Sequence, residues 1–289
     1  MVDESGVRHL RMAVAGFGAL GASLYAGLKE AGFLNVVVLS SKSHPGMQVK
    51  GVKWDAVDWP EADLYWLCVP DDSLETVVDT VREFPSGALW IHCSGALALE
   101  PLVSISNKGG HTASVHFMQS FTKASSARDL QGAPASVLTS HDSDTGLLAS
   151  ICNALGARPF KIDAASKPVL HLAAVLVSNF WVLLAEEANR LTTEAAGVPA
   201  SALFSSLMQQ TLRNLQSPAG ARPITVLSGP LRRADGNTIR KHLSLPEMRE
   251  PLKHLYTAFT VLGVQQLKDN GLANQSHFNM LPPSHAQRE

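Results

Sequence analysis

The stretch Arg11-Met12-Ala13-Val14-Ala15-Gly16-Phe17-Gly18-Ala19-Leu20-Gly21 decides the fold. Its first five residues read as a short buried strand that stops at a glycine. Leu20, Leu24 and Leu28 then recur every four residues, which marks one face of a helix ending at Gly32. The glycines at 16, 18 and 21 therefore stand between a strand and a helix. That context gives a GxGxxG sequence its physical meaning. The chain can turn tightly, a pyrophosphate can approach the backbone, and free N–H groups face it at the positive end of a helix. Gly16, Phe17, Gly18, Ala19, Leu20 and Gly21 are thus the expected phosphate loop of a dinucleotide site.

Moving outward, Val36–Leu39 (VVVL) is a second short apolar run. A dinucleotide site that takes NAD has Asp or Glu about 20 residues beyond the loop, bonded to the ribose hydroxyls. Here the chain reads Ser40-Ser41-Lys42. Hydroxyls and a cation suit a 2′-phosphate, so NADP is the expected cofactor, and the missing acid argues against S-adenosylmethionine. Further strands are expected at 63–69, 88–92, 112–116, 135–139 and 157–162, with helices at 73–84 and 144–155. Strands alternating with helices predict a parallel, doubly wound α/β sheet to about residue 164. Val69, Pro70 and Asp71 follow one strand, and Ser94 and Gly95 follow the next. Both turns fall on the carboxyl edge of the sheet, where such folds bind ligands.

The pattern changes near Ser166. One long helix is expected over 166–196, with Ser166 as N-cap and Pro168 in its first turn. It is apolar nearly all round, as a buried core helix would be. Helices are also expected at 200–216, 236–243 and 247–268, making 165–289 an all-helical domain. Residues 1–9 and the chain after Asn270 read as loose, polar tails.

Bulk properties narrow the function. The 289 residues carry a net charge of −1, which favours no polyanionic partner such as nucleic acid. Charged residues are 17% of the chain, against about 25% in a typical domain. Such sparse charge predicts much buried surface, including a homodimer interface. Cys68, Cys93 and Cys152 form no CxxC pair, His111 and His116 lack a third ligand at metal spacing, and no metal site is expected. The first ten residues contain early acids and no apolar core of a signal peptide. With His171, Ser178 and Asn179 interrupting the apolar run 168–185, a cytoplasmic protein with no membrane partner is expected.

Four segments carry a family resemblance: GFGALG at 16–21, CVPDDSL at 68–74, HCSGAL at 92–97 followed by VHFMQSF at 115–121, and the pair LHLAAVLVSNF at 170–180 and LSGPLRRADGNTIRKHL at 227–243. The chain resembles an uncharacterised Rossmann-like family. Its C-terminal helical domain is related to those of pyrroline-carboxylate reductase and the β-hydroxyacid and 6-phosphogluconate dehydrogenases. Ala234 stands where that family often has glycine. The resemblance implies an NADP-linked reductase with a 6-phosphogluconate-dehydrogenase-like helical domain, and a homodimer joined through it.

At 100° per residue, His171 and Ser178 lie about 40° and 20° round the helix from Lys167, so the three share a face. The β-hydroxyacid dehydrogenases are similar in placing a lysine and a polar partner one turn apart there. His171 is the candidate proton donor, with Lys167 and Ser178 beside it. Asn179 lies about 120° round and reads as a bridge to a neighbouring helix, yet stays among the substrate-facing candidates. His116 and Gln119, past a strand, would face the substrate. Arg232, Arg233 and Asp235 form the candidate substrate loop, one guanidinium clamping a carboxylate while the other pairs with Asp235. The reaction expected is NADPH-dependent reduction of a C=O or C=N bond in a small carboxylate-bearing metabolite. The alternative is an NADP-binding sensor without chemistry.

Overall fold

The computed structural model describes residues 7–44, 54, 59–82, 85 and 87–281. The expected tails at 1–6 and 282–289, and residues 83–84 of the expected helix 73–84, lie outside them. The chain divides into two compact units, 1–180 and 181–289.

The first unit is built on strands β1 (Met12–Ala15), β2 (Val36–Leu39), β3 (Leu64–Leu67), β4 (Leu89–His92), β5 (His111–Phe117), β6 (Pro134–Thr139) and β7 (Arg158–Lys161). They form one sheet in the order β2-β1-β3-β4-β5-β6-β7. Alternate residues of the central strands feed opposite faces. Met12, Val14, Trp66 and Ile91 pack on one side with Leu24 and Leu28 of helix α1 (Ala19–Glu30). Ala13, Ala15, Tyr65 and Trp90 pack on the other with Val77 and Val78 of helix α2 (Leu74–Asp79). Tyr65 and Trp90 stack at 3.9 Å between centroids. A strand buried on both faces needs apolar residues at every position, which is why these runs do not alternate with polar ones.

One expectation about the sheet is corrected. β5 and β6 pair antiparallel, and β6 and β7 pair parallel, so the last two strands run against the first five. The connection 118–133 contains only a single short 3-10 turn, Ala127–Leu130, and no crossover helix to carry the chain back for a parallel pairing. After helix α3 (Val103–Ser106) and β5, helix α4 (Asp142–Ala154) makes the crossover from β6 to β7.

The long helix is also corrected. Helix α5 (Ser166–Val177) ends at Ser178, whose φ of −125° and ψ of −72° are not helical, and α6 (Asn179–Ala196) begins beyond it. Ser166 is the first helical residue, and the Asp163 carboxylate accepts its N–H at 2.7 Å. Nor is this a buried core helix in the single chain. Val169 is 65% exposed and Val177 71%, and none of the apolar window within 166–196 is buried. α5 nevertheless stays with the sheet unit because Lys167 is buried in it.

The second unit contains most of α6, followed by α7 (Ala200–Gln216), α8 (Gly229–Arg232), α9 (Gly236–Leu243), α10 (Glu250–Asp269) and α11 (Gln275–Phe278). α7 and α9 fall where the periodicity predicts. The expected loose ends are partly anchored: Val7 is buried, and α11 buries His277 in the stretch beyond Asn270. Ala234 joins α8 to α9 with φ +55°, the only positive φ at a non-glycine position among the described residues. A Cβ in that conformation costs about 1–2 kcal/mol. Ala234→Gly is therefore expected to raise stability by roughly 1 kcal/mol, read as a higher urea midpoint with unchanged slope. A lower midpoint would show that this turn is held by something other than the local backbone.

Candidate active site

The ladder of the sheet leads directly into the glycine loop. Gly16 N–H bonds the Leu39 carbonyl at 2.8 Å and Cys68 N–H bonds the Ala15 carbonyl at 2.7 Å, so the ends of β1, β2 and β3 are held together. The three glycines are needed for different reasons. Gly16 has φ +98°, and a Cβ there would lie 2.4 Å from the Cys68 carbonyl oxygen. A Cβ on Gly21 would lie 2.0 Å from the Gly16 carbonyl oxygen, so Gly21 lets α1 seat against β1. Gly18 differs: its φ is −75° and a Cβ would meet nothing within 4 Å. The packing of the described residues does not require glycine at 18, which leaves that backbone accessible. Gly18 also caps α1 without any side-chain bond, and the first turn carries no acid, which leaves the positive helix end open to an anion.

A cavity of about 910 Å³ runs along this edge, lined by Gly16, Phe17, Gly18, Ala19 and Leu20 from the loop, by Ser40, Ser41 and Lys42, by Val69, Pro70 and Asp71, and by Ser94. The structure thus gathers these predicted cofactor residues. It adds His44, Cys68, Cys93, Thr122, Lys123 and Ser125. His44 packs edge-on against Phe17 at 5.0 Å, and the lysine at 123 comes from the connection between β5 and β6. Neither carries a sequence motif; only tertiary folding brings them here. Ser40 is buried and bonds the His44 ring at 3.2 Å while accepting the Lys42 N–H, so its hydroxyl shapes the loop. Ser41 and Lys42 stand exposed.

Ser94 is a junction. Its hydroxyl donates to Asp71 at 2.7 Å and accepts the N–H groups of Ala96 and Leu97, and its carbonyl accepts from Lys167 Nζ at 2.6 Å. Lys167 is only 1% exposed, and burial lowers its pKa to about 8. Beyond Ser94, Gly95 is forced to be glycine by its neighbours. A Cβ there would lie 2.3 Å from His171 Nδ1 and 2.9 Å from His116 Nε2. The two rings meet edge to face at 5.7 Å. His116 is pushed down to about 4, first by burial and then by the charges of Lys167 and His171, so it is neutral near pH 7. His171 Nδ1 is buried with no hydrogen-bond partner among the described residues.

Other predicted residues are placed differently. Ser178 sits at the helix break, and its hydroxyl lies 2.7 Å from both the Ala174 carbonyl and Asn179 Oδ1, either of which can accept its one proton. It does not continue the Lys167–His171 face, because that projection needed a straight helix. Asn179 is exposed, and so is Gln119, whose side chain accepts the Ser120 N–H. In the second unit, Asp235 caps α9 through Thr238 N–H at 3.0 Å and the Thr238 hydroxyl at 2.7 Å. Those two bonds, and only thirdly the charge of Arg233, hold its carboxyl below the usual range. Asp235 is thus first a cap, and only weakly a partner of Arg233.

At the amino end of β5, His111 Nδ1 lies 2.8 Å from Asp144 and the His141 ring stacks on His111 at 4.1 Å. Tertiary structure therefore supplies neighbours that the His111…His116 spacing lacks. His111, His141 and Asp144 thus offer ligand atoms within 4.8 Å of one another, a grouping that spacing along the chain does not show.

The sheet, the glycine loop and the helical C-terminal unit define a class, the Rossmann-type α/β fold followed by a helical unit. Residues 135–262 match the model of a family described as Domain of unknown function (DUF2520). No curated protein matches the chain. Among solved structures, the chain is similar to a proposed NADP oxidoreductase from Bacteroides fragilis, at 24% identity and TM-score 0.73, over 88% of this chain and 97% of that one. It is similar to pyrroline carboxylate reductase from Plasmodium falciparum, solved with NADP bound, at 11% identity and TM-score 0.60, over 92% and 99%. It is also similar to an imine reductase from Aspergillus terreus, in complex with NADPH4 and dibenz[c,e]azepine, at 19% identity and TM-score 0.56, over 93% and 97%. The fold read from the sequence is borne out.

His92, at the end of β4, gives a pH test. Its Nε2–H donates to the Ala98 carbonyl and its Nδ1 accepts the Ser94 N–H, a pairing only the neutral ring can make. Burial lowers its pKa to about 4. As pH falls from 6.5 towards 4, the unfolded chain takes up a proton that the folded protein does not, so stability is lost across that window. The loss from His92 is expected to reach on the order of 3 kcal/mol. Urea unfolding at pH 7 and pH 4.5 reads it, and a His92→Gln variant should show a visibly shallower pH slope. An equal slope in both proteins contradicts the assignment.

Proposed function

We propose that this protein is an NADPH-dependent reductase of a C=O or C=N bond in a small, carboxylate-bearing metabolite. One observation carries the reading: a buried ring nitrogen of His171, unpartnered among the described residues, lies against Gly95, the residue after Ser94 in the cavity wall. Buried polar atoms are almost always paired, and one left over beside a cavity supports a group that meets a ligand there. The solved reductases of like fold support the same class of reaction. The residues fit the cofactor: the loop at 16–21 would hold the pyrophosphate, and Ser41, Lys42 and His44 the 2′-phosphate. A nicotinamide held there supplies the hydride.

The chain's own residues would manage the proton. His116 is kept neutral and so is a poor donor at pH 7, which leaves His171 to deliver a proton to the heteroatom that gains negative charge or basicity. Lys167 acts by position: its ammonium holds the Ser94 carbonyl and thereby sets the Ser94–Gly95 turn against both rings. In the second unit, Arg232 and Arg233 stand as the candidates for a carboxylate clamp, since a guanidinium holds a carboxylate through two parallel hydrogen bonds. NADPH oxidation in the presence of cyclic imines and keto acids tests the reading. His171→Ala is expected to lose at least 100-fold in kcat with unchanged NADPH affinity. Lys42→Ala is expected to weaken NADPH about tenfold and NADH little, worth roughly 1.4 kcal/mol. Tight NADPH binding without turnover across the panel would favour the sensor instead, and near-normal turnover in His171→Ala would remove its role.

We further infer a cytoplasmic homodimer. Leu172 and Leu176 of α5 in the first unit, and separately Leu183 of α6 and Leu207 of α7 in the second, are apolar side chains that a soluble single chain rarely leaves to water in such number. The stretch 166–196 has the length and hydropathy of a membrane span. However, it breaks at Ser178 and carries Glu186, Glu187 and Arg190 beyond, so a second copy of the chain is the better cover. Light scattering at micromolar concentration should give twice the chain mass, without flotation on phospholipid vesicles. A monomer, or a vesicle-bound species, overturns the dimer.

A further inference from the structure

Cys68 and Cys93 stand one residue beyond the paired ends of β3 and β4. Leu67 and His92 are register partners, so the two cysteines face each other across adjacent parallel strands. Their sulfurs are 3.8 Å apart. Both line the cavity described above. Adjacent strands lie about 4.7–4.9 Å apart, within the Cα separation of about 4.4–6.8 Å that a disulfide tolerates. Register partners on parallel strands also send their side chains to the same face. Closing the gap to a bonded distance of about 2 Å needs a movement of less than 2 Å, which rotation of the two side chains can supply largely by itself.

We propose that Cys68 and Cys93 are an oxidisable dithiol in the cavity wall, converted to a disulfide by a hydroperoxide. The two thiols differ in a way that orders the steps. Cys68 is partly open, whereas Cys93 is buried. The contact with Cys68 and then burial push the Cys93 thiol well up, so it is not the first to react. The Cys68 sulfur attacks the outer peroxide oxygen. An S–O bond forms, the O–O bond breaks, and the alcohol or water that leaves takes up the thiol proton. The sulfur of Cys93 then attacks the sulfenic acid on Cys68. The S–S bond forms, the S–O bond breaks, and water departs with the second thiol proton. Two sulfurs lose two electrons between them and one peroxide gains them.

The consequence for the dinucleotide loop rests on the reading of this cavity as a cofactor site. The Cβ of Cys68 lies 3.2 Å from where a Cβ on Gly21 would stand, and its carbonyl oxygen lies 2.4 Å from the same point on Gly16. Rotation supplies most of the closure, and the part taken up at the Cys68 Cβ and backbone is passed to the two loop glycines packed against them. The disulfide is therefore expected to weaken NADPH binding at least tenfold, and bound NADPH is expected to cover the thiols and slow their oxidation.

The full chain, treated with hydrogen peroxide and then with dithiothreitol, provides the test by intact-mass and peptide mass spectrometry. The expected product is lighter by about 2 Da, the mass of the two hydrogens lost in forming one S–S bond. It carries a linked Cys68–Cys93 peptide pair and returns to the starting mass on reduction. Cys93→Ser should stop at a Cys68 sulfenic acid, trapped by dimedone, while Cys152→Ser should still form the bond. A link that uses Cys152, or oxygen addition with no loss of 2 Da in the wild-type chain, overturns the proposal without need of any variant. NADPH titration of the reduced and oxidised forms separates the two ideas. Equal affinity in both forms refutes the coupling, whereas a linked pair in a protein whose reduced form binds no NADPH refutes the cofactor reading and leaves the dithiol standing.

Discussion

Much of this structure depends on how closely the end of β1 approaches the end of β3. The backbone at Gly16 runs so near the Cys68 carbonyl, and α1 so near Gly16, that no side chain fits at positions 16 or 21. Interiors pack at crystal-like density, so a clash at 2.0–2.4 Å cannot be relieved by small adjustments nearby. With those two positions bare, the first turn of α1 points its unbonded N–H groups along the carboxyl edge of the sheet. The third glycine, at 18, then lies on backbone that no side chain among the described residues covers.

A second junction stands two strands away. The hydroxyl of Ser94 ties its own turn to Asp71, and its carbonyl is the hydrogen-bond acceptor of the buried Lys167 ammonium. Removing an ammonium from water is costly, which is why the lysine's pKa falls. His116 is kept neutral first by its own burial and then by the nearby Lys167 charge. One junction therefore fixes the Ser94–Gly95 turn and brings α5 onto the sheet. His92 beneath it, held neutral by one donor and one acceptor, supports the turn from within the core.

Local patterns were legible where a segment's neighbours follow from its own residues. The short apolar runs became strands within a residue or two, and α7 and α9 match their predicted limits. The glycine loop, the Ser40–Lys42 stretch and the Val69–Asp71 turn all line the expected cavity. The errors share one cause. Placing Ser178 beside Lys167 assumed a straight helix, and the break at Ser178 removes that assumption. Reading 166–185 as core assumed that apolar means covered by the same chain. Reading β6 as parallel assumed that a crossover helix precedes it.

The sequence by itself determined the strand–glycine–helix unit, because periodicity and the lack of a Cβ act over a few residues. It also determined the absence of an acid after β2, which turns the expected cofactor towards NADP. Tertiary structure alone decided which distant groups meet. It set His44 on Phe17, Cys68 opposite Cys93, Lys167 on the Ser94 carbonyl, and His116 against His171 over Gly95. Those meetings depend on strand order and on where a helix lands, and neither quantity is carried by the spacing of residues along one segment. The pKa values follow the same division, since burial and neighbouring charge exist only once the chain has folded.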